Sequence, residues 1–184
     1  MSRTFAVLAV LLWTGLAWAA PAGKPEPFGF KGIELGSDIA SVSGNPRFEC
    51  HSSRAPGADA ICSLRPKETE TIAGVPVKSL FFFYYGARLT GITLHLEEKH
   101  FAQVVAALRA KYGETSVATE TLRNLKGVAF ENRTYAWKSA AESLTAQRYS
   151  GRLDQSSIRY AADDAIRRIE AHRADVARDP SKDL

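Results

Sequence analysis

Side chains suited to acid–base or metal chemistry are few in this sequence, and they are scattered. The four histidines are His51, His95, His100 and His172, and none lies four residues from another, as the H-E-x-x-H zinc motif requires. No G-x-S-x-G turn, Walker loop or dinucleotide-binding glycine motif occurs. We therefore expect no catalytic residue, no metal ligand and no cofactor. An active site assembled from residues distant in sequence remains an alternative.

Glu97 and Glu98 form an adjacent pair of carboxylates. Two carboxylates can serve as general acid and general base when both face the same ligand. Neighbouring residues in a strand point to opposite faces, however, and acidic residues favour the first turn of a helix. We expect Glu97 and Glu98 to begin a helix rather than to form a catalytic pair.

Residues 1–19 have the features of a secretory signal peptide. Arg3 precedes an apolar stretch at residues 5–16, and Ala17-Trp18-Ala19 matches the small-x-small site that signal peptidase cleaves. A transmembrane helix needs about 20 apolar residues, and this stretch is shorter. No cysteine lies at the cleavage site, where a bacterial lipoprotein would carry its lipid. We expect cleavage after Ala19 and export, to the periplasm or by secretion. The mature protein then has no integral membrane segment and no nucleic-acid partner.

The compartment helps to interpret Cys50 and Cys62, the only cysteines. An even count, a short loop-like segment between them and an oxidising environment together predict a disulfide bond. A redox-active or metal-binding pair is the alternative, but it would be expected at C-x-x-C spacing.

The formal net charge is +4, and the basic excess lies in the second half of the chain. It could favour an anionic lipid or glycan surface. Because no dense basic tract occurs, a solvated surface is the simpler interpretation.

Residues 79–112 are predicted to form two strands and a helix. Residues 80–85 are bulky and mostly aromatic, Gly86-Ala87 supplies a turn, and residues 89–96 alternate as a returning strand. In Phe101–Tyr112 the apolar residues recur with helical spacing, and Gly113 suits the end of the helix. One of two rows must pack under this helix: Leu80, Phe82 and Tyr84, or Phe81, Phe83 and Tyr85. If Phe81, Phe83 and Tyr85 form the other row, they are the candidate binding face.

The predicted fold class is α+β: one domain, with an antiparallel sheet built from hairpins and helices packed on one face. Outside residues 79–112, which we call the central unit, we expect a short helix at residues 38–42 capped by Ser37, a strand at residues 129–137, and a hairpin from residues 144–149 and 156–161. Residues 114–127 are ambiguous. The predicted divisions are the signal peptide at 1–19, an extended leader at 20–29, the α+β domain at 30–161, and a charged helix and tail at 162–184.

Three segments resemble a known family. They are residues 31–39, the turn and strand at residues 86–94, and a helix pattern of Phe101, Leu108 and Lys111-Tyr112-Gly113. Together they resemble small exported bacterial proteins with a β-lactamase-inhibitor-like or SmpA/OmlA-like α+β fold. The resemblance implies a binding or envelope-accessory module rather than an enzyme. This sequence lacks the lipoprotein cysteine of the outer-membrane assembly members, so membrane anchoring is not carried over.

The expected function is non-catalytic binding of another envelope or extracellular protein through the sheet face or loops. The alternatives are an envelope hydrolase with an unrecognised site, and a binder of a small amphiphile in a cavity lined by the Phe81, Phe83 and Tyr85 row.

Overall fold

The computed structural model describes residues 27–179. The predicted signal peptide and most of the predicted leader lie outside the described residues, as does the end of the tail. The strands of the described residues are β1 (Gly29–Phe30), β2 (Ile33–Glu34), β3 (Phe48–Ser52), β4 (Ala60–Leu64), β5 (Thr71–Ile72), β6 (Val75–Pro76), β7 (Ser79–Tyr85), β8 (Arg88–Glu97), β9 (Ser116–Arg123), β10 (Ala129–Lys138), β11 (Glu142–Gln147) and β12 (Gln155–Ala162). Eight of them form one antiparallel sheet in the order β3-β4-β7-β8-β12-β11-β10-β9, and β1-β2 and β5-β6 form two small hairpins. The helices are α1 (Ala40–Ser43), α2 (Phe101–Tyr112) and α3 (Asp163–Arg178).

The central unit of β7, β8 and α2 has the predicted form. Gly86 and Ala87 both have positive φ, 57° and 61°, as a two-residue hairpin turn of the right twist requires. Glu98 is the first residue of a short 3-10 turn that leads into α2. Gly113 follows α2 with φ 79°, and its N–H donates to the carbonyl of Arg109 at 2.9 Å. A single domain with a mainly antiparallel sheet and a few helices is therefore confirmed.

The core uses one of the two rows of β7. Leu80, Phe82 and Tyr84, here called the core row, are buried together with Val104 and Leu108 of α2. Phe81, Phe83 and Tyr85, here called the second row, point to the opposite face of the sheet. Burial raises the pKa of the Tyr84 phenol to about 12. The sequence left open which of the two rows packs in the core, and the structure shows that it is Leu80, Phe82 and Tyr84.

Strands β12, β11, β10 and β9 follow β8 in the sheet, and the core continues along the first three of them. Trp137 and Leu144 lie opposite each other on β10 and β11 and are buried. The segment that the sequence left ambiguous contains β9, an edge strand that pairs along its whole length with β10. Nearly all its side chains are exposed, so it lacks the alternation of apolar and polar residues that indicates a strand.

The N-terminal segments close one end of the core. Within the predicted leader, Phe28 is buried, its N–H donates to Glu142 Oε2 at 3.0 Å, and its ring meets that of Tyr112 edge-on. Helix α1 is shorter than expected, and Ser37 does not cap it: the N-cap residue is Ile39, and Asp38 Oδ1 accepts a hydrogen bond from the Ala40 N–H at 2.9 Å.

The predicted packing of all helices on one face is not confirmed. Helix α2 lies against the core row, whereas α3 and Phe83 of the second row line the same cavity. Because α3 has only a thin apolar stripe, it covers this face incompletely: Ala165 is buried, and Ile166 and Ile169 are partly exposed. In residues 27–179, no helix has both the length and the apolar character needed to span a membrane.

Candidate binding cavity

A cavity of about 310 Å³ lies between α3 and the sheet, and we call it the α3 cavity. Its floor is the sheet face that carries the second row, and its roof is one side of α3. A loop at residues 55–58, between β3 and β4, forms a side wall. Pockets that hold small ligands have volumes of about 300–1,000 Å³ and mostly apolar walls. The α3 cavity is at the small end of that range.

Phe83 and Gly91 form the floor of the cavity, and they lie opposite each other on β7 and β8. A Cβ atom added to Gly91 would lie 3.8 Å from the Phe83 ring and 3.4 Å from the Tyr160 carbonyl oxygen, so a side chain fits there without a clash. The missing side chain of Gly91 therefore contributes to the empty volume. A bulge between Phe83 and Tyr84 places Thr90 beside the cavity, where its hydroxyl donates to the Phe83 carbonyl at 3.1 Å.

The side wall depends on Gly57. Its φ is +82°, and a Cβ atom there would lie 2.9 Å from Ile169 Cγ1. The loop is fixed at its base, because the Asp59 N–H donates to the Tyr84 carbonyl at 2.8 Å, and Asp59 Oδ2 accepts from the Gly86 N–H at 2.8 Å. The predicted disulfide between Cys50 and Cys62 is present and links the two strands that carry the loop, with Cα atoms 4.0 Å apart. These bonds fix the loop to the sheet, and Gly57 brings it into packing contact with Ile169 of α3.

Two arginines give the α3 cavity its charge. Arg159 reaches it from β12 and Arg173 from the second half of α3, and both are exposed. No carboxylate is among the described residues that line the cavity. An apolar space with two cations at its border suits a ligand with an apolar part and an anionic part.

The three residues of the second row have different environments. Phe83 lines the α3 cavity, and the Phe81 ring lies next to it with centroids 6.4 Å apart. Tyr85 is 48% exposed, and the guanidinium of Arg168 lies 4.3 Å above its ring. Arg168 also binds Asp164 at 2.7 Å and lowers the pKa of that carboxyl. The predicted binding face is therefore partly covered, and Phe83 is its cavity-lining member.

Ser79 and His95 form the one pair on the sheet that resembles part of a hydrolase site. Ser79 Oγ and His95 Nδ1 lie 2.9 Å apart on neighbouring strands. Burial, and then the charge of Arg159, lower the pKa of His95, so the imidazole is neutral at pH 7. Neither residue lines the α3 cavity or the four other main pockets of residues 27–179. The pair is best explained as a cross-strand hydrogen bond.

A second groove, of about 590 Å³, lies between α2 and β10, and several basic side chains line it. Its cations already have acidic partners: Arg148 binds Glu98 at 2.6 Å, and Arg133 binds Glu131 at 2.6 Å. Lys99 binds Glu97 at 2.6 Å, so the adjacent carboxylates Glu97 and Glu98 hold different cations. An anionic ligand would have to displace these carboxylates, which makes this groove the weaker candidate.

The remaining predicted residues do not assemble into a chemical site. His51 is exposed, and its Nε2 lies 4.0 Å from Glu49. Among residues 27–179, no three histidine, cysteine, aspartate or glutamate side chains lie close enough to share a metal ion. Sequence reasoning missed Gly57, Gly91, Arg159 and Arg173, and the only local signal was a glycine inside the strand of residues 89–96, which can mark a close approach.

Comparison of the chain with protein-family models, with curated proteins and with solved structures finds no match. The resemblance to β-lactamase-inhibitor-like and SmpA/OmlA-like proteins therefore stays a prediction.

Proposed function

We propose that this protein is an exported, non-catalytic binding protein, and that its ligand is a small amphiphile whose apolar part lies in the α3 cavity. Export is supported by the signal-peptide pattern of residues 1–19 and by the Cys50–Cys62 disulfide, which suits an oxidising compartment. The proposal of a small ligand is supported mainly by the position of Phe83, which faces an apolar cavity under α3 rather than a filled core.

A small ligand is favoured over a protein partner by the shape of this face. The 55–58 loop and α3 enclose the cavity from two sides, so a protein surface has restricted access to Phe83. An alkyl chain can enter such a space, and each methylene that it buries contributes about 0.8 kcal/mol. A hydrolase is less well supported, because Ser79 and His95 do not line the α3 cavity.

The proposal is tested with 1-octanol, a neutral amphiphile of suitable size, by isothermal titration calorimetry on the mature protein. We expect saturable binding at one site. Gly91→Val should weaken it at least tenfold, because the added side chain projects into the cavity while its Cβ meets no close contact. The matched control is Ala136→Val on β10, which changes a residue outside the cavity lining.

Circular dichroism and thermal unfolding establish that both variants fold. Absence of saturable octanol binding, or binding that Gly91→Val leaves unchanged, contradicts the proposal. Capture of an envelope protein whose affinity is equally insensitive to Gly91→Val would instead favour a macromolecular partner.

A further inference from the structure

The charges around the α3 cavity specify the ligand more closely than its apolar lining does. Arg159 and Arg173 border it from the sheet and from the helix, and no ion pair is found for either among residues 27–179. The arginines of the groove beside α2 differ, since Arg133 and Arg148 each hold a carboxylate. Two cations without carboxylate partners beside an apolar cavity are a ready site for an anion.

We propose that the ligand is a single-chain amphiphile with an anionic head group, its chain under α3 and its head bound by Arg159 and Arg173. This inference rests on the proposed function, since it assigns the chemical class of the ligand to the same cavity. Guanidinium groups bind carboxylate, sulfate and phosphate oxygens through charge-assisted hydrogen bonds, so the head-group chemistry common to these is negative charge with several acceptor oxygens.

The size of the cavity limits the chain. Its volume is about 310 Å³. One water-sized group occupies about 30 Å³ in a liquid, so the cavity accommodates roughly ten heavy atoms of a ligand. One acyl chain of medium length fills it, whereas a two-chain phospholipid does not fit. Affinity should therefore rise with chain length and then stop rising.

The polar groups of the cavity agree with this orientation. The hydroxyl of Thr90 already donates to the Phe83 carbonyl, so it does not require a ligand partner. Thr93 is the second buried hydroxyl of the lining, and Ala58 and Ala165 are buried apolar members of it. The charged groups that line the cavity are the two arginines, which favours an anionic head over a cationic one.

The test is a calorimetric titration of the mature protein with four ligands of equal chain length, below their aggregation concentrations: decanoate, decyl sulfate, 1-decanol and decyltrimethylammonium. We expect both anions to bind about tenfold or more tightly than decanol, and the cation more weakly than decanol. In the series hexanoate, octanoate, decanoate and dodecanoate, affinity should rise by about fourfold for each methylene and level off near ten carbons.

Charge variants assign the head-group site. Arg159→Gln and Arg173→Gln should each lower decanoate affinity about tenfold and lower decanol affinity much less, because decanol makes no charge-assisted hydrogen bond. Lys138→Gln is the control, because it removes an exposed cation of β10 that does not line the cavity.

The outcomes separate the two proposals. Equal binding of decanoate and decanol, or decanoate affinity unaffected by either arginine variant, overturns the anionic head group and leaves the binding function standing. Failure of all four ligands to bind overturns both. Affinity that keeps rising well beyond ten carbons contradicts the assignment of the chain to the α3 cavity.

Discussion

Gly57 and Ile169 lie so close that a Cβ atom on Gly57 would be 2.9 Å from Ile169 Cγ1. This contact joins the loop of the disulfide-linked hairpin to α3, two parts of the chain that are far apart in sequence. It encloses the α3 cavity on the side away from β12. The position requires glycine for two reasons, the positive φ and the lack of space for a side chain.

Gly57→Ala should therefore destabilise the protein by about 2–3 kcal/mol, of which about 1 kcal/mol is backbone strain and the remainder is overpacking against Ile169. Gly127→Ala is the matched control, because Gly127 has φ +77° and no atom within 4 Å of an added Cβ. It should lose only the backbone part. The measurement is urea unfolding of both variants, and equal losses would show that the Gly57–Ile169 contact contributes nothing to stability.

Leu108→Ala should lower the free energy of unfolding by about 2–5 kcal/mol, because it leaves a void beneath α2. Leu108 is 5% exposed and belongs to the core that includes Leu80 and Phe82. Leu125→Ala is the control: Leu125 is fully exposed, and its replacement should change stability by less than about 0.5 kcal/mol. Chemical denaturation checks both values. A loss below 1 kcal/mol in Leu108→Ala would contradict the packing of α2 on the core row.

The predictable part of this fold is the part with local signals. The aromatic strand, the Gly86-Ala87 turn and the helical spacing of α2 each act over a few residues, so β7, β8 and α2 were predicted nearly to their ends. Strand β9 was missed because neither of its faces is buried, so its sequence does not alternate between apolar and polar residues. Helix α3 was predicted from its own sequence, but its position was not, because that depends on Gly57 and Ile169 meeting across the fold.

The candidate site was predicted only in part for the same reason. Alternation along β7 separates Phe81, Phe83 and Tyr85 from the core row, and this follows from the sequence alone. The space above Phe83 requires Gly91 to pair opposite it on β8, a register that the bulge at Phe83 and Tyr84 determines. Arg159 and Arg173 line the cavity from β12 and α3. The positions of these elements depend on tertiary packing, so the sequence pattern did not bring the two arginines together.

Reduction of the Cys50–Cys62 disulfide should lower stability by about 3 kcal/mol, because the bond closes a short loop in the unfolded chain. Denatured, unreduced mature protein should show no free thiol. Cys50→Ala combined with Cys62→Ala should be destabilised by a similar amount and should not respond further to reductant. Two thiols that titrate without reduction would contradict the disulfide, and a reductant effect in the double variant would show that the loss has another cause.

His95 should report on the charge beside the α3 cavity. Its neighbours on the sheet are Ser79, which hydrogen-bonds its Nδ1, Ser157, which lies opposite it on β12, and Arg159. Burial first, and the charge of Arg159 second, lower the pKa of His95 below its ordinary value of 6.5. In the window just below pH 6.5 the unfolded chain therefore binds more protons at this residue than the folded protein does, so stability should fall as the pH decreases through that window.

Arg159→Gln should raise the pKa of His95 because it removes the nearby positive charge, and the acid-side loss of stability should become smaller. The measurement is an NMR titration of the His95 ring, with His95→Gln used for assignment and Lys138→Gln as the charge-matched control. Saturating decanoate should also raise the pKa of His95 in the unaltered protein, since its head group neutralises Arg159, and should do so less in Arg159→Gln. A pKa of His95 that is unchanged in Arg159→Gln would mean that Arg159 does not act on this face, and the anion site would then lose its sheet-side cation.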